Sequence, residues 1–137
     1  MQELLTTLLF WIGVTTGYDV DINLPNITLT EPNNICSNYG INKKGQCEAA
    51  KLLGFYNKKY TIYLPNDFDP ENQEHIAYLA HELTHYVQWE NGSNKTMCLG
   101  QLEVEAYEVQ DNWRTQHNLA ESFDPFNKIL LAASCDT

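Results

Sequence analysis

Basic residues are scarce in this chain of 137 residues: eight Lys and Arg, of which Arg114 is the one arginine, stand against eighteen Asp and Glu for a formal net charge of −10. That balance repels nucleic acid and anionic lipid, so neither is expected as a partner. A single guanidinium also excludes a bidentate phosphate-binding cluster. Missing too is an apolar run of the roughly twenty residues that a membrane-spanning helix needs, so no membrane span is expected. Close cysteine pairs of the C-x-x-C type, which build structural zinc sites, are absent. The chain lacks internal repeats, low-complexity tracts and linker-like stretches, which leaves one domain over residues 1–137, with a core of its own but no room for a separate substrate-binding domain.

The apolar residues that are present fall into short periodic segments. Leu4 to Val14 opens like an export signal, but Gln2 and Glu3 stand where basic residues belong and no clean cleavage site follows. Leu4, Leu5, Leu8, Leu9, Trp11 and Ile12 recur at helical steps, so a structural helix ending at Gly17 is expected. Asp19 to Gln46 reads as mostly loop with a short strand at Ile27 to Leu29. Leu52 to Tyr56 and Tyr60 to Leu64 flank Asn57-Lys58-Lys59 in the manner of a β-hairpin, and the second run, as an exposed edge, is a candidate for substrate contact. A helix from Asp69 to Glu90 follows, with Asp69 as N-cap, Pro70 at the first position and a stop at Asn91-Gly92. Further helices are expected from about Leu102 to His117 and from Pro125 to Ala133, the last capped by Asp124. The fold class is α+β: an N-terminal helix, a small sheet and three more helices.

Four cysteines form an even set, Cys36, Cys47, Cys98 and Cys135. Of the three pairings, Cys36 with Cys47 and Cys98 with Cys135 is favoured, the first closing a polar loop and the second tying down the C-terminal tail. Disulfides imply an oxidising compartment, periplasmic or extracellular, with an export signal removed ahead of Met1. Four free thiols in a cytoplasmic protein are the competing reading.

The chemistry is concentrated in His81-Glu82-Leu83-Thr84-His85, an H-E-x-x-H pattern. On a helix the two histidines differ by about 40° around the axis and about 6 Å along it, so both can reach one tetrahedral ion. Glu82 is rotated away and is placed to act as a general base on water at an open fourth position. For a third ligand, Glu103 and Glu105 compete, separated by about 200° on a helix. Glu105 shares its side with Glu108, Asn112, Thr115 and Gln116, a solvated face, whereas Glu103 shares its side with Ala106, Tyr107, Gln110 and Trp113. Glu103 is the expected ligand, and the small Ala106 would let the two helices approach closely. His117 and Arg114 lie too far along to touch the ion and are expected to pair with acidic side chains, while His75 reads as a surface residue.

The pair of motifs, His81 to His85 and Glu103 to Tyr107, resembles the glutamate-ligated zinc peptidases, or gluzincins. With Thr16-Gly17-Tyr18 closing an apolar first helix and Thr61 to Pro65 before the motif helix, the chain also resembles a group of small bacterial HExxH domains of unassigned function. The resemblance implies one Zn2+ on His81, His85 and Glu103, Glu82 as general base, and a peptide or protein substrate for a zinc metallopeptidase. One departure stands out. Many gluzincins carry an aspartate four residues after the ligand glutamate, where it accepts a hydrogen bond from a ligand histidine; this chain has Tyr107. Tyr107 is therefore a candidate for that acceptor role, for oxyanion donation or for plain packing. Two alternatives to an exported peptidase follow: a zinc-stabilised interaction module without turnover, and an intracellular regulatory peptidase.

Overall fold

The computed structural model describes residues 1–31, 60–133 and 135. Helix α1 spans Gln2–Thr16 and buries Leu5, Leu8, Leu9 and Ile12, the stripe that its periodicity predicts. It ends at Gly17, whose φ of 83° is open to a residue without a Cβ, and the Gly17 N–H donates to the Gly13 carbonyl at 2.9 Å. Gly13 is needed for another reason: a Cβ there would lie 2.8 Å from Val20 Cγ2, so its absence lets the chain fold back along α1.

Strands β1 (Asn26–Thr30) and β2 (Thr61–Pro65) pair in parallel, Asn26 opposite Thr61 through Thr30 opposite Pro65. The expected strand at Ile27 to Leu29 is thus present and slightly longer. The expected run from Tyr60 to Leu64 is also a strand; its proposed hairpin partner, Leu52 to Tyr56, lies outside the described residues. Along β2 the pleat sends Ile62 and Leu64 into the core. Tyr60 packs its ring 5.0 Å from that of Tyr86, whose hydroxyl donates to the Asn23 carbonyl, so this strand serves the core as much as any surface.

Helix α2 (Gln73–Glu90) is the centre of the molecule, buried almost continuously from Ile76 to Gln88. It starts later than Asp69 and Pro70 suggest. Asp69 Oδ1 is engaged by Glu71 N at 2.9 Å in a tight local turn, and Asn72 becomes the N-cap, accepting from Glu74 N at 2.9 Å and His75 N at 3.3 Å. The stop at Asn91-Gly92 is as expected: Asn91 Nδ2 donates to the carbonyls of Val87 and Asp19, its Oδ1 accepts from Asp19 N, and Gly92 has φ 75°. A single 3-10 turn, Ser93–Lys95, leads to α3 (Leu99–Gln116), which begins three residues ahead of the expected Leu102. The extra turn is possible because Gln101 Oε1 reaches back to Cys98 N at 3.1 Å, so the chain is already helical there. Asn118, at φ 61°, supplies the left-handed residue that ends α3, with Leu119 N on the Arg114 carbonyl at 2.8 Å.

Helix α4 (Pro125–Ala133) has the expected bounds and cap, Phe126 N donating to Asp124 Oδ1 at 2.9 Å. It buries no residue fully, and Phe126, Ile129 and Leu130 are 62, 65 and 52% exposed. A disulfide between Cys98 and Cys135 ties the end of this segment to the start of α3, as one of the two expected bridges requires. The other, Cys36 with Cys47, lies outside the described residues. The architecture is α+β, four helices and a two-stranded parallel sheet among the described residues, and none of these helices is long and apolar enough to cross a membrane.

Because α4 has so little buried surface, the disulfide is its main tether. The bridge closes 37 residues of sequence, for which loop entropy predicts about 4 kcal/mol of stabilisation. Reduction is expected to strip α4 of amide-exchange protection while α2 keeps its own, as hydrogen-exchange mass spectrometry would show. Equal protection in both redox states would mean that packing alone holds α4.

Candidate metal centre

Two histidines one turn apart on α2 and one glutamate on α3 meet in the interface between the helices. The two helices pack extensively on one another, and Leu102, Ala106 and Val109 of α3 are buried. His81 Nε2 and His85 Nε2 are 3.2 Å apart, and Glu103 Oε1 lies 2.7 Å from the first and 3.4 Å from the second. The residues are only 5, 2 and 8% exposed. A tetrahedral ion with bonds of about 2.0 to 2.1 Å holds its ligand atoms about 3.4 Å apart. The triangle is therefore a slightly contracted version of the face such an ion would occupy, and His81, His85 and Glu103 together could hold a metal ion.

Proton counting supports the fit. His85 Nδ1 faces Gln88 Oε1 at 2.8 Å, an acceptor, so neutral His85 carries its proton there and turns a bare Nε2 toward the cluster. Burial favours the neutral acid at Glu103, yet the facing imidazoles of His81 and His85 outweigh it and hold this carboxyl well below the ordinary carboxylate range. Burial likewise disfavours a charged His85, and the adjoining Glu103, with Glu82 contributing, outweighs it and raises that pKa. An anionic oxygen and imidazole nitrogens concentrated at one buried point are a site in want of positive charge.

Glu82 is buried between the two histidines in sequence and close enough to His85 to act on it electrostatically. Tyr107 meets His81 through its ring, at a centroid distance of 4.5 Å and an interplanar angle of 67°. The same ring also stacks on Phe123 at 4.1 Å and 9°. Packing, one of its three expected roles, is what these contacts provide. His81 Nδ1 is buried without a hydrogen-bond partner among the described residues, and the Tyr107 ring packs against this imidazole.

Phe123 was not singled out by the sequence. It is held by Asp111, a buried carboxylate that accepts from Ser122 N and Ser122 Oγ, both at 2.9 Å, and from Phe123 N at 3.2 Å. Nothing local marks Asp111 as different from the other acidic residues of α3. Glu105 corrects the solvated face assigned to it: it is half-buried and receives bonds from Tyr18 at 2.6 Å and Gln88 at 2.9 Å. The face is solvated only further along, because Tyr18 and Gln88 come from other elements. Arg114 pairs with Glu74 at 3.6 Å, whereas His117 stacks on Trp113 and faces the Trp113 carbonyl instead of an acidic side chain. His75 is half-buried, its Nδ1 accepting from Asp69 N at 2.9 Å, and so secures the turn before α2. A cleft of about 460 Å³ opens beside the cluster, lined by Glu103, Tyr107, Phe123, Asn127, Leu130 and Leu131.

Replacing Glu103 with Ala is expected to lower divalent-metal affinity by at least about 100-fold while the helical circular dichroism persists. Metal titration of both proteins measures this; unchanged affinity would remove Glu103 from the ligand set.

No curated protein and no solved structure matches this chain. A family model described as "Domain of unknown function (DUF6647)" matches residues 1–137, and the chain belongs to that family.

Proposed function

We propose that this protein is a zinc-dependent peptide-bond hydrolase, with His81, His85 and Glu103 holding the ion. The observation that carries the reading is the convergence of two imidazole nitrogens and one carboxylate oxygen at one buried point beside an open cleft. A borderline-soft ion suits that N, N, O donor set, and three protein ligands leave a fourth position for solvent or substrate. Bound there, zinc would supply Lewis-acid chemistry, acidifying water and polarising a carbonyl.

The chain's own residues supply the rest. Glu82 takes the proton of the attacking water as the oxygen adds to the carbonyl carbon. It then delivers that proton to the amide nitrogen as the C–N bond breaks. Tyr107 holds His81 in place with its ring and, with Phe123, Leu130 and Leu131, gives the cleft apolar walls for substrate side chains. The Cys98–Cys135 disulfide fits an oxidising compartment, which favours a periplasmic or secreted enzyme over an intracellular regulatory one.

Glu82→Gln is expected to keep its zinc and lose about 10²- to 10⁴-fold in hydrolysis of a peptide library read by mass spectrometry. Undiminished cleavage would eliminate Glu82 as the base. A zinc-loaded wild type that cleaves nothing in the library would instead identify a silent metal-binding module.

A further inference from the structure

A polar chain, buried at one end and part-buried beyond it, runs from the His81, His85 and Glu103 cluster to Tyr18 and Ser93 and has no part in the chemistry above. It starts at His85 Nδ1 and passes through Gln88 Oε1 at 2.8 Å. The other end of the same amide, Gln88 Nε2, lies 2.9 Å from the Leu102 carbonyl and 2.9 Å from Glu105 Oε1. Tyr18 donates its hydroxyl to that carboxylate at 2.6 Å, and Ser93 Oγ lies 3.0 Å from the Tyr18 hydroxyl. Four elements are joined: the turn after α1, the helix α2, the 3-10 turn and the helix α3.

We infer that Gln88, Glu105 and Tyr18 form a positioning relay that holds His85 in the tautomer and orientation a metal ligand requires. The inference rests on reading His81, His85 and Glu103 as a metal site, and not on hydrolysis. The Gln88 amide has one orientation that satisfies its neighbours. A carbonyl and a carboxylate can only accept, so the amide NH2 must face Leu102 and Glu105. The amide oxygen is thereby forced toward His85, and the proton of a neutral His85 is forced onto Nδ1. What remains at Nε2 is a lone pair aimed at the point shared by His81 and Glu103. Without the relay the imidazole could rotate or change tautomer and lose that aim.

The outer members keep Gln88 from turning over. Glu103 and Glu105 both reach side chains of α2, and the two carboxylates divide the work, one facing the cluster and the other fixing the amide. Tyr18 follows the left-handed Gly17 directly, and its N–H donates to Thr16 Oγ1 at 3.2 Å, so the close of α1 positions its hydroxyl. Burial, reinforced by Glu105, pushes the Tyr18 pKa up to about 12, which keeps the hydroxyl a donor at neutral pH.

The test uses the whole chain, with zinc affinity measured against a chromophoric chelator and the visible absorption of the cobalt(II)-loaded protein as readouts. Gln88→Leu is expected to weaken zinc binding by about 10- to 100-fold and to shift the cobalt bands. Tyr18→Phe, which touches no ligand, is expected to weaken it by about threefold to tenfold. The exchange variant Gln88→Glu/Glu105→Gln, which keeps an acceptor for His85 and the net charge, should stay within about tenfold of wild type and bind more tightly than Gln88→Leu. If both single variants melt at lower temperature yet keep wild-type zinc affinity and cobalt spectrum, the chain is a mere cross-link and the relay is overturned. If Gln88→Leu does not fold, Tyr18→Phe decides by the same two readouts. A wild type that binds neither zinc nor cobalt overturns the metal site itself, and the relay with it.

Discussion

A carboxylate and two imidazoles are expensive to bury singly, and here they are buried at one point, so each supplies what the others lack. Glu103 would be driven toward its neutral acid by the apolar surroundings if His81 and His85 did not face it. The imidazoles, in turn, are buried, and beyond Gln88 at His85 Nδ1 they face each other and Glu103. Close contact between α2 and α3 is therefore the constraint on which the site depends. A larger side chain at Ala106, which is fully buried, would hold α3 away and separate Glu103 from the two imidazoles.

Around that point the two histidines are treated differently. His85 is held by hydrogen bonds, through Gln88 to Glu105 and Tyr18, a directional restraint that selects a tautomer. His81 is held by the edge-on ring of Tyr107, itself pressed against Phe123, a restraint of shape that leaves the tautomer to the cluster. An acidic residue at position 107 could have bonded to an imidazole, but it would also have added negative charge beside Glu103. The tyrosine keeps the ring in place and adds an apolar wall to the cleft. Asp111 supports this arrangement from one step further out, spending three hydrogen bonds on the loop that carries Phe123.

The C-terminal segment is assembled on another principle. Helix α4 contributes Asn127, Leu130 and Leu131 to the cleft but has no fully buried residue. A covalent bridge to the start of α3 does what burial does elsewhere. One rim of the cleft is thus tied to the helix that carries Glu103, so cleft and cluster share a frame.

Much of this was legible from residue order, because periodicity and capping are local. The 3.6-residue repeat places His81 and His85 on one side of α2, the stripe of Leu5, Leu8, Leu9 and Ile12 defines α1, and Asp124-Pro125 starts α4 where it does. The angular separation of Glu103 from Glu105, with the neighbours each keeps, pointed to the right carboxylate for the cluster. The local signal failed at Asp69, since a side chain used in a preceding turn cannot also cap the helix, and Asn72 caps it instead. Only tertiary structure decided the parallel pairing of β1 with β2, the stacking of Phe123 on Tyr107, and the burial of Glu105. Tyr18 and Glu105 are 87 residues apart, and Gln88 and Glu105 are 17. Bonds over such separations leave no periodic trace, because they exist only once packing has brought the elements together.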